Sequence, residues 1–508
     1  MADEIHFIDT TFRDGSQSLW AMGMRYGMME PLAADMDRAG FFAVEVIPNG
    51  IFFKKIVRDL KEDPWHTLRM LSERMPRTLK TCMGALNLVG LGTSAPRVVQ
   101  ELALQMVADI VQPYRVQVVC NTADQLTRTL PQEIPAMHGY GFQVALALSY
   151  TISPRHTDEL FAEQARAAAA LRPDALYLKD QGGLLTVDRI RDLAPILLAA
   201  AGDIPVELHS HCTTGLAPSV YSEAMKLGIR YLHTGVPPAA DGSAQPSVLD
   251  VARNARALGF EPQVDEVLLA SVSRRLTSFA RQEGLPLGGP VRYDEAQFAH
   301  QIPGGVIANL RYQLGTIGMA DRIEEVKQES IRIRAELGYP IMITPYSQHV
   351  VTQASINVAT GERWKVVIDD LIRYAQGRFG AGSGFEWMDG DLRDRILSLP
   401  RARELEQLGG GPAADDQLTL TEAKARYGDA DMSDEEVVLR ALMAGSTEVE
   451  AMRRAGPPRR YLSADVPLVT LLGELGSERQ VRFVHLERGG ERLTAVRRAD
   501  PAPSPAAR

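Results

Sequence analysis

Short apolar runs recur along the first half of the chain, roughly every 25–40 residues, with helix-length stretches between them. The runs are rich in Val, Ile, Leu and Ala and lack regular alternation, which is typical of parallel strands buried on both faces. Apolar residues at helical spacing in 96–111 and 159–171 predict helices between the runs. The eight predicted strands are Ile5–Asp9, Ala43–Ile47, Leu79–Met83, Arg115–Val119, Phe142–Leu148, Ala175–Lys179, Val206–His209 and Ile229–His233.

Eight strand–helix units in about 255 residues predict an α/β fold of the TIM (β/α)8 barrel type. A doubly wound open sheet is the alternative. The count of eight favours the barrel, and no Gly-x-Gly-x-x-Gly motif follows the first run, which disfavours a dinucleotide-binding sheet. We therefore predict a catalytic barrel domain over residues 1–264.

The pattern changes near residue 265, where helical periodicity begins to dominate and β signals become weak. We predict a mainly helical second domain over 265–456, packed on the barrel mouth, with a glycine-rich break at 409–416. Residues 457–508 form a small appendix, in which two runs around Gly489-Gly490 predict a β-hairpin and 500–508 a disordered tail. The clearest helical stretches of the second domain are 267–282, 318–337, 364–376 and 434–444.

Composition narrows the classes of function. With 55 basic and 64 acidic residues the chain has a net charge of -9, so we expect no nucleic-acid partner. The three cysteines, Cys82, Cys120 and Cys212, form neither a CxxC zinc pattern nor a disulfide framework, which fits a reducing compartment. No secretory leader is visible and no apolar run is long enough to span a membrane. We expect a cytoplasmic protein.

Residues with metal-binding chemistry stand where the predicted strands end, and in this barrel fold the C-terminal strand ends carry the catalytic groups. Asp14 follows the first strand, Lys179 closes the sixth, and His209 and His211 close the seventh. The i, i+2 spacing points both imidazoles to one side of the strand. Taken singly, these residues fit surface salt bridges or a packed polar pair. Together they favour a site for zinc, manganese or cobalt.

Lys179 needs a separate explanation, because an ammonium group cannot bind a cation. Burial of a lysine favours the neutral, nucleophilic amine. Such an amine adds CO2 to form a carbamate, which offers an anionic oxygen ligand. An ion pair with Asp14 or Asp180 explains the residue equally well, and the residues alone leave both interpretations open.

Three segments resemble the biotin-dependent carboxyltransferases, which include the carboxyltransferase domain of pyruvate carboxylase, the oxaloacetate decarboxylase alpha chain and the transcarboxylase 5S subunit. They are DTTFRDGSQSLWA at 9–21, LKDQGGLL at 178–185 and LHSHCTTG at 208–215. Shorter matches are NLVG at 87–90, SYTISP at 149–154, IPGG at 302–305, ITPYSQ at 343–348 and GERWK at 361–365. The resemblance extends from residue 5 to about residue 455, and the last two matches are closer to the 5S and decarboxylase branch.

In the family pattern, Asp14, Lys179, His209 and His211 match the metal ligands, with the lysine carbamylated. The resemblance therefore favours the carbamate over the ion pair. It implies that CO2 released from carboxybiotin is attacked by a substrate enolate, whose developing charge the metal stabilises. Zinc is the first expectation, with manganese or cobalt as alternatives.

The resemblance also implies residues that act on the substrate and on biotin. Arg13 and Gln17 match residues that line the substrate site, and Arg13 would share the charge of the enolate oxygen. Thr344 matches the threonine that moves a proton from the substrate carbon to biotin. Ser347 matches a biotin-pocket residue, and we expect Gln348 beside it to contribute to the same pocket.

The chain departs from the family where other members grip the carboxylate of a 2-oxo acid. The family's arginine before the NLVG segment is missing from residues 81–86, and the tyrosine that follows the segment is Leu91. The family's FRIFD run is replaced by VQVVC at 116–120, with the loss of an arginine and an aspartate. Cys212 and His233 stand where aspartates are common. We therefore expect a carbonyl substrate other than pyruvate that carries less charge.

Biotin itself is expected on another chain. The carrier motif, Ala/Val-Met-Lys-Met, is resembled only by AMKL at 224–227, which falls in the helix after the seventh strand, and the appendix contains no lysine. We expect a biotin carboxyl carrier protein and a biotin carboxylase as partner subunits, with this chain as a homodimer in a larger complex. The alternatives are a metal-dependent aldolase or lyase resembling hydroxymethylglutaryl-CoA lyase, and a scaffolding subunit with a decayed site.

Overall fold

The computed structural model describes residues 3–84, 95–408, 418–461, 471, 475, 481–488 and 491–496. The NLVG segment with Leu91, the break at 409–416, the Gly489-Gly490 turn and the tail at 500–508 lie outside the described residues. No helix in the described ranges is both long enough and apolar enough to cross a bilayer.

Eight parallel strands close into a barrel. Each strand pairs with the next in sequence, and β1 pairs with both β2 and β8, so the sheet has no open edge between them. All eight predicted strands are present with ends shifted by at most two residues, and the prediction of a TIM barrel is confirmed. The strands are β1 (Glu4–Asp9), β2 (Ala43–Glu45), β3 (Leu79–Met83), β4 (Tyr114–Val119), β5 (Gln143–Ser149), β6 (Ala175–Asp180), β7 (Val206–Ser210) and β8 (Tyr231–Thr234).

Alternate residues of each strand face the barrel interior. On β4, Val116 and Val118 pack in the large core that β4 shares with the surrounding helices, whereas Arg115 reaches across the interior to Glu207 on β7. Gln117 lies between the two valines and faces the interior with Arg115. Below the mouth, small alanines and Tyr177 form a cluster of inward side chains from β5 and β6. Charged and polar groups therefore occupy much of the interior below the mouth.

Helices surround the barrel and continue beyond it. They are α1 (Ser16–Trp20), α2 (Tyr26–Arg38), α3 (Gly50–Lys55), α4 (Pro64–Arg74), α5 (Arg97–Ile110), α6 (Leu130–Gly139), α7 (Asp158–Ala170), α8 (Val187–Ala201), α9 (Ala217–Lys226), α10 (Val248–Ala257), α11 (Glu266–Gln282), α12 (Ala296–His300), α13 (Gly304–Thr316), α14 (Ile323–Glu336), α15 (Tyr346–Thr360), α16 (Asp369–Ala375), α17 (Gly390–Leu397), α18 (Pro400–Leu408), α19 (Leu420–Arg426), α20 (Asp434–Met443) and α21 (Thr447–Arg454). Side-chain oxygens cap the N-termini of several helices, as Thr157 does for α7 and Thr186 for α8.

The helical region contributes to two hydrophobic cores. Helices α11 and α19–α21 pack against the outside of the barrel, where Phe279 and Val437 belong to the same buried cluster as the barrel strands. Helices α13–α18 build a second core, which contains Ile302 and Ile372. The helical character predicted for this region is confirmed, and the domain limits at 264 and 456 stay a prediction.

Three short strands complete the fold. The strand β9 (Glu261–Pro262) extends the sheet beside β1 and was not predicted. Strands β10 (Phe483–Arg488) and β11 (Glu491–Val496) form the antiparallel hairpin that the sequence predicted for the appendix.

Candidate metal centre and active site

A π-helical turn at Thr11–Gly15 carries the first site residues into the barrel mouth. Asp9 at the end of β1 anchors this turn, because its carboxyl group accepts hydrogen bonds from the backbone N–H of Thr11 at 3.1 Å and from its hydroxyl at 2.5 Å. Segments of π-helix are frequent at functional sites. Here the turn buries two consecutive charged residues, Arg13 and Asp14.

The two carboxylate oxygens of Asp14 have different neighbours. Its Oδ1 accepts from the hydroxyl of Ser18 at 2.9 Å, and its Oδ2 accepts from Nη2 of Arg13 at 3.1 Å. The same Oδ2 lies 3.4 Å from Nε2 of His209 and 3.8 Å from Nε2 of His211. Burial alone would raise the pKa of Asp14, but the Arg13 guanidinium holds it well below its usual range. Asp14 therefore faces the imidazoles as a carboxylate.

Hydrogen bonds leave a lone pair on Nε2 of each imidazole. Nδ1 of His211 lies 2.7 Å from the carbonyl oxygen of Ser243, which can only accept, so Nδ1 carries the proton. Nδ1 of His209 lies 3.1 Å from Nδ1 of His233, and Nε2 of His233 donates to Glu207 at 2.9 Å. His233 therefore accepts at Nδ1 and His209 donates. The two Nε2 lone pairs meet 3.2 Å apart.

A buried ion pair below the centre fixes this orientation. Arg115 donates to both carboxylate oxygens of Glu207, and both side chains are fully enclosed in the barrel. Burial would raise the pKa of Glu207, but Arg115 and His233 lower it to about 2. Tyr177 stacks on His233, with ring centroids 5.2 Å apart. A continuous chain of contacts thus runs from Arg115 through Glu207 and His233 to His209, in the manner of the outer partners that orient metal-binding histidines.

Lys179 stands beside His209 in register across β6 and β7 and is 5% exposed. Among the described residues its amine takes part in no ion pair. Burial lowers the pKa of this amine to about 8, against the attraction of Asp14. Asp180 faces away, because its carboxylate accepts from the backbone N–H of Leu184 at 2.8 Å and from two further donors. An ion pair between Lys179 and Asp180 is therefore not formed.

Asp14, His209 and His211 each offer one ligand atom, and these atoms lie within 4.8 Å of one another. One carboxylate oxygen and two imidazole nitrogens with free lone pairs are a donor set that zinc, manganese and cobalt accept. The residues present therefore fit a divalent cation. The structure brings these three predicted ligands together and places Lys179 next to them.

A carboxylate from the next strand binds the guanidinium group of Arg13 through two hydrogen bonds. Its Nε and Nη2 donate to the two oxygens of Glu45 at 2.9 and 2.7 Å. Its Nη1 is directed to Oε1 of Gln17 at 3.4 Å. The two residues expected at the substrate site are therefore adjacent, and the free edge of the guanidinium faces Gln17.

The helical region contacts this centre through its IPGG segment at the start of α13. A Cβ atom at Gly304 would meet Cβ of Ser243 at 2.3 Å, so the close approach requires glycine. Ser243 is the residue whose carbonyl accepts from His211. Helix α13 thus sits directly on the loop whose carbonyl group orients His211, a predicted metal ligand.

The residues expected to contact biotin lie around the start of α15. Thr344 is half-buried and accepts a long hydrogen bond of 3.4 Å from Nε2 of Gln348, which is exposed. Ser347 is fully buried, and its hydroxyl has no hydrogen-bond partner in the described ranges. None of the hydrogen bonds found among described residues joins this group to the metal centre. The roles of Thr344, Ser347 and Gln348 stay predictions.

Gln245 is a centre residue that the sequence did not point to. It lies between β8 and α10, and its Nε2 is 3.1 Å from Nε2 of His209 and 2.9 Å from Nε2 of His211. A neutral glutamine in a loop has neither charge nor metal-ligand spacing, so no sequence signal marks it.

Comparison with known proteins agrees with this architecture. A family described as "Conserved carboxylase domain" matches residues 298–458. The chain is 34% identical to a pyruvate carboxylase subunit of Methanocaldococcus jannaschii over 379 residues, which is 74% of this chain and just under two thirds, 66%, of that protein. It is 30% identical to the 2-oxoglutarate carboxylase large subunit of Hydrogenobacter thermophilus over 446 residues, 86% of this chain and 67% of that protein.

Solved structures agree on the fold. The carboxyl transferase domain of Rhizobium etli pyruvate carboxylase, determined with pyruvate and biocytin, matches with a TM-score of 0.77 at 20% identity. The match covers 89% of this chain and 77% of that chain. On the sequence relatives and the shared fold, the chain belongs to the family of biotin-dependent carboxyltransferases and is an enzyme of that family.

Proposed function

We propose that the chain is the carboxyltransferase component of a biotin-dependent carboxylase built from several different chains. It would move CO2 between carboxybiotin on a separate carrier and an enolisable carbonyl substrate. The observation that carries the proposal is the convergence of Asp14, His209 and His211 beside buried Lys179 at the barrel mouth. Relatives that are themselves named as single subunits of carboxylases support separate biotin carrier and biotin carboxylase chains. A homodimer within that complex is part of the proposal.

Lys179 completes the donor set as a carbamate. Its amine is buried, stands in register with His209 and is outside the ion pairs of the described chain. Addition of CO2 forms an N–C bond and releases a proton, which converts a group that repels cations into an anionic oxygen ligand. When bound, the divalent metal, zinc first and manganese or cobalt as alternatives, supplies Lewis-acid stabilisation of charge developing on the substrate oxygen.

Other side chains of the protein stabilise the substrate oxygen, transfer the proton and line the biotin pocket. Arg13, held by Glu45, directs its free edge toward Gln17 and the substrate oxygen, and one such preorganised donor contributes about 3 kcal/mol. The Thr344 hydroxyl moves a proton between the substrate carbon and biotin. Ser347 contributes its unpartnered hydroxyl to the biotin pocket; Gln348 lies beside it.

The substrate we propose is a carbonyl compound with less negative charge than pyruvate. Arg13 and Arg115 both enter the barrel interior, but each is paired with a carboxylate of this chain and is not free to clamp another. Gln117, which replaces a family arginine, is fully buried and neither atom of its amide has a partner in the described part of the chain. A neutral amide suits a hydrogen-bonding group better than a carboxylate.

The test is to purify the native complex, identify its biotinylated chain, and supply ATP, radiolabelled bicarbonate and a series of carbonyl acceptors. We expect acid-stable label in one acceptor, dependent on the biotinylated carrier and lost in Lys179→Ala. Lys226→Ala, in the AMKL segment, is the matched control and should incorporate label normally. Pyruvate as the best acceptor would contradict the proposed substrate. Label transfer that persists in Lys179→Ala would contradict the proposed site.

A further inference from the structure

Gln245 is fully buried and faces both nitrogens that are directed to the metal. Its side-chain amide is 3.1 Å from Nε2 of His209 and 2.9 Å from Nε2 of His211. We propose that Gln245 is a further ligand of the metal and binds it through the amide oxygen. The inference rests on the metal centre proposed above.

The presence of a cation between the imidazoles determines which end of the Gln245 amide must face them. With Nε2 of Gln245 toward His209 and His211, an N–H donor is aimed at the lone pairs that bind a cation. The oxygen and nitrogen ends of a glutamine amide have nearly the same shape, and the surrounding network determines their placement. A cation between the imidazoles therefore requires the oxygen end to face them.

Thr10 can pair with the reversed amide as well. Its hydroxyl has one proton and lies 3.0 Å from the carbonyl oxygen of Thr234 and 2.7 Å from Oε1 of Gln245. A single proton shared between two acceptors forms a weaker, bifurcated bond. With the amide reversed, Thr10 donates to Thr234 and accepts from the NH2 group of Gln245. The amide oxygen then lies opposite the lone pairs of the two imidazoles, and these three acceptor atoms have a complementary partner only when a cation lies between them.

The separations between donor atoms suit a common cation. Bonds of about 2.0–2.2 Å place neighbouring ligand atoms about 3–3.6 Å apart. The His209–His211 pair at 3.2 Å, the Asp14–His209 pair at 3.4 Å and the Gln245–His209 pair at 3.1 Å lie in this range. The Gln245–His211 pair at 2.9 Å and the Asp14–His211 pair at 3.8 Å lie just outside it. Asp14 and a carbamate on Lys179 already balance a divalent charge. A neutral amide oxygen adds coordination without adding charge.

The test uses the full chain loaded with Co²⁺, whose visible ligand-field spectrum reports the donor set. Gln245→Met keeps the length of the side chain without an oxygen donor, and we expect its dissociation constant for Co²⁺, measured against a competing chelator, to rise at least about 10-fold. Its absorption bands should shift. Gln245→Glu should keep tight binding, because a carboxylate oxygen replaces the amide oxygen. Gln263→Met, in a loop remote from the barrel mouth, is the matched control and should bind as the wild type does.

Two outcomes would overturn the inference. Wild-type affinity and spectrum in Gln245→Met would show that the amide does not bind the metal. Weaker binding with an unchanged spectrum would make Gln245 a positioning residue and not a ligand. Asp14→Ala separates this inference from the proposed function: if the wild type and Asp14→Ala bind Co²⁺ equally, the metal centre itself is wrong.

Discussion

The candidate metal centre and the proposed biotin-pocket residues differ in how firmly hydrogen bonds hold their side chains. Asp14, His209 and His211 each have a hydrogen-bond partner that fixes the side chain before any ligand arrives. At the start of α15, Thr344 has one long hydrogen bond, and Ser347 has none in the described ranges. The barrel therefore holds its candidate metal ligands in place, whereas the polar side chains at the start of α15 make few hydrogen bonds, which under our proposal suits a pocket for biotin that another chain delivers.

This difference makes the two regions separable by mutation. Changes in the metal centre should alter metal binding and activity together. Changes around α15 should alter activity and leave the metal in place.

The largest effect is expected from Lys179→Ala, because it removes the carbamate. Carboxyl transfer should fall by about 10³-fold or more, and the bound metal should decrease. Small carboxylates such as acetate should restore part of the activity, since they can replace the missing oxygen ligand. Label transfer and elemental analysis measure both effects. Full metal content with full activity in Lys179→Ala would refute the carbamate.

Thr344→Ala should lower kcat by about 10²–10⁴-fold, the range for loss of a general acid–base group. The metal content should equal that of the wild type, and Thr344→Ser should restore activity. Thr360→Ala, at the other end of α15, is the matched control because, among the described residues, its hydroxyl bonds to backbone carbonyls and to no side chain. Loss of metal in Thr344→Ala would remove the distinction between the two regions.

Arg115→Met should destabilise the barrel by about 3–5 kcal/mol, because it leaves the buried carboxylate of Glu207 without its partner. Urea unfolding monitored by far-ultraviolet circular dichroism measures the change. Replacement of exposed Arg97, which pairs with Glu101 on one helix face, should change the free energy of unfolding by under about 1 kcal/mol. Equal changes in the free energy of unfolding would show that the buried ion pair stabilises the barrel no more than an exposed one.

The smallest effect is expected from His233→Phe, which removes the acceptor for Nδ1–H of His209. Metal affinity should fall by about 10–100-fold, as for other outer partners of metal ligands. His138→Phe is a control at an exposed histidine that pairs with Asp174. Chelator competition measures the metal affinity of both variants. An unchanged affinity in His233→Phe would show that the chain of contacts from Glu207 through His233 does not affect metal binding.

Residues of the candidate metal centre can be predicted from the sequence where a general rule relates a residue's place in a strand to the direction of its side chain. Asp14 and His209 were predicted because catalytic groups of a barrel stand at C-terminal strand ends and i, i+2 residues share a strand face. The contact of Arg115 with Glu207 joins residues far apart in sequence and depends on strand register, which the apolar pattern does not specify. Gln245 lacks any such pattern.

The sequence pattern also does not predict which part of the molecule each helix of the helical region packs against. An amphipathic stretch shows that a helix buries one face but does not identify its partner. Helix α20 packs its buried Val437 in the barrel core, whereas α15 packs Val350 in the second core, although both were predicted as parts of one domain.

A crystal structure of the purified chain, soaked with zinc and bicarbonate and measured at the zinc absorption edge, tests the central claim most directly. We predict one anomalous peak between Nε2 of His209, Nε2 of His211 and Oδ2 of Asp14, with branched density extending Lys179. An unmodified amine on Lys179 and no peak at this position would contradict the account.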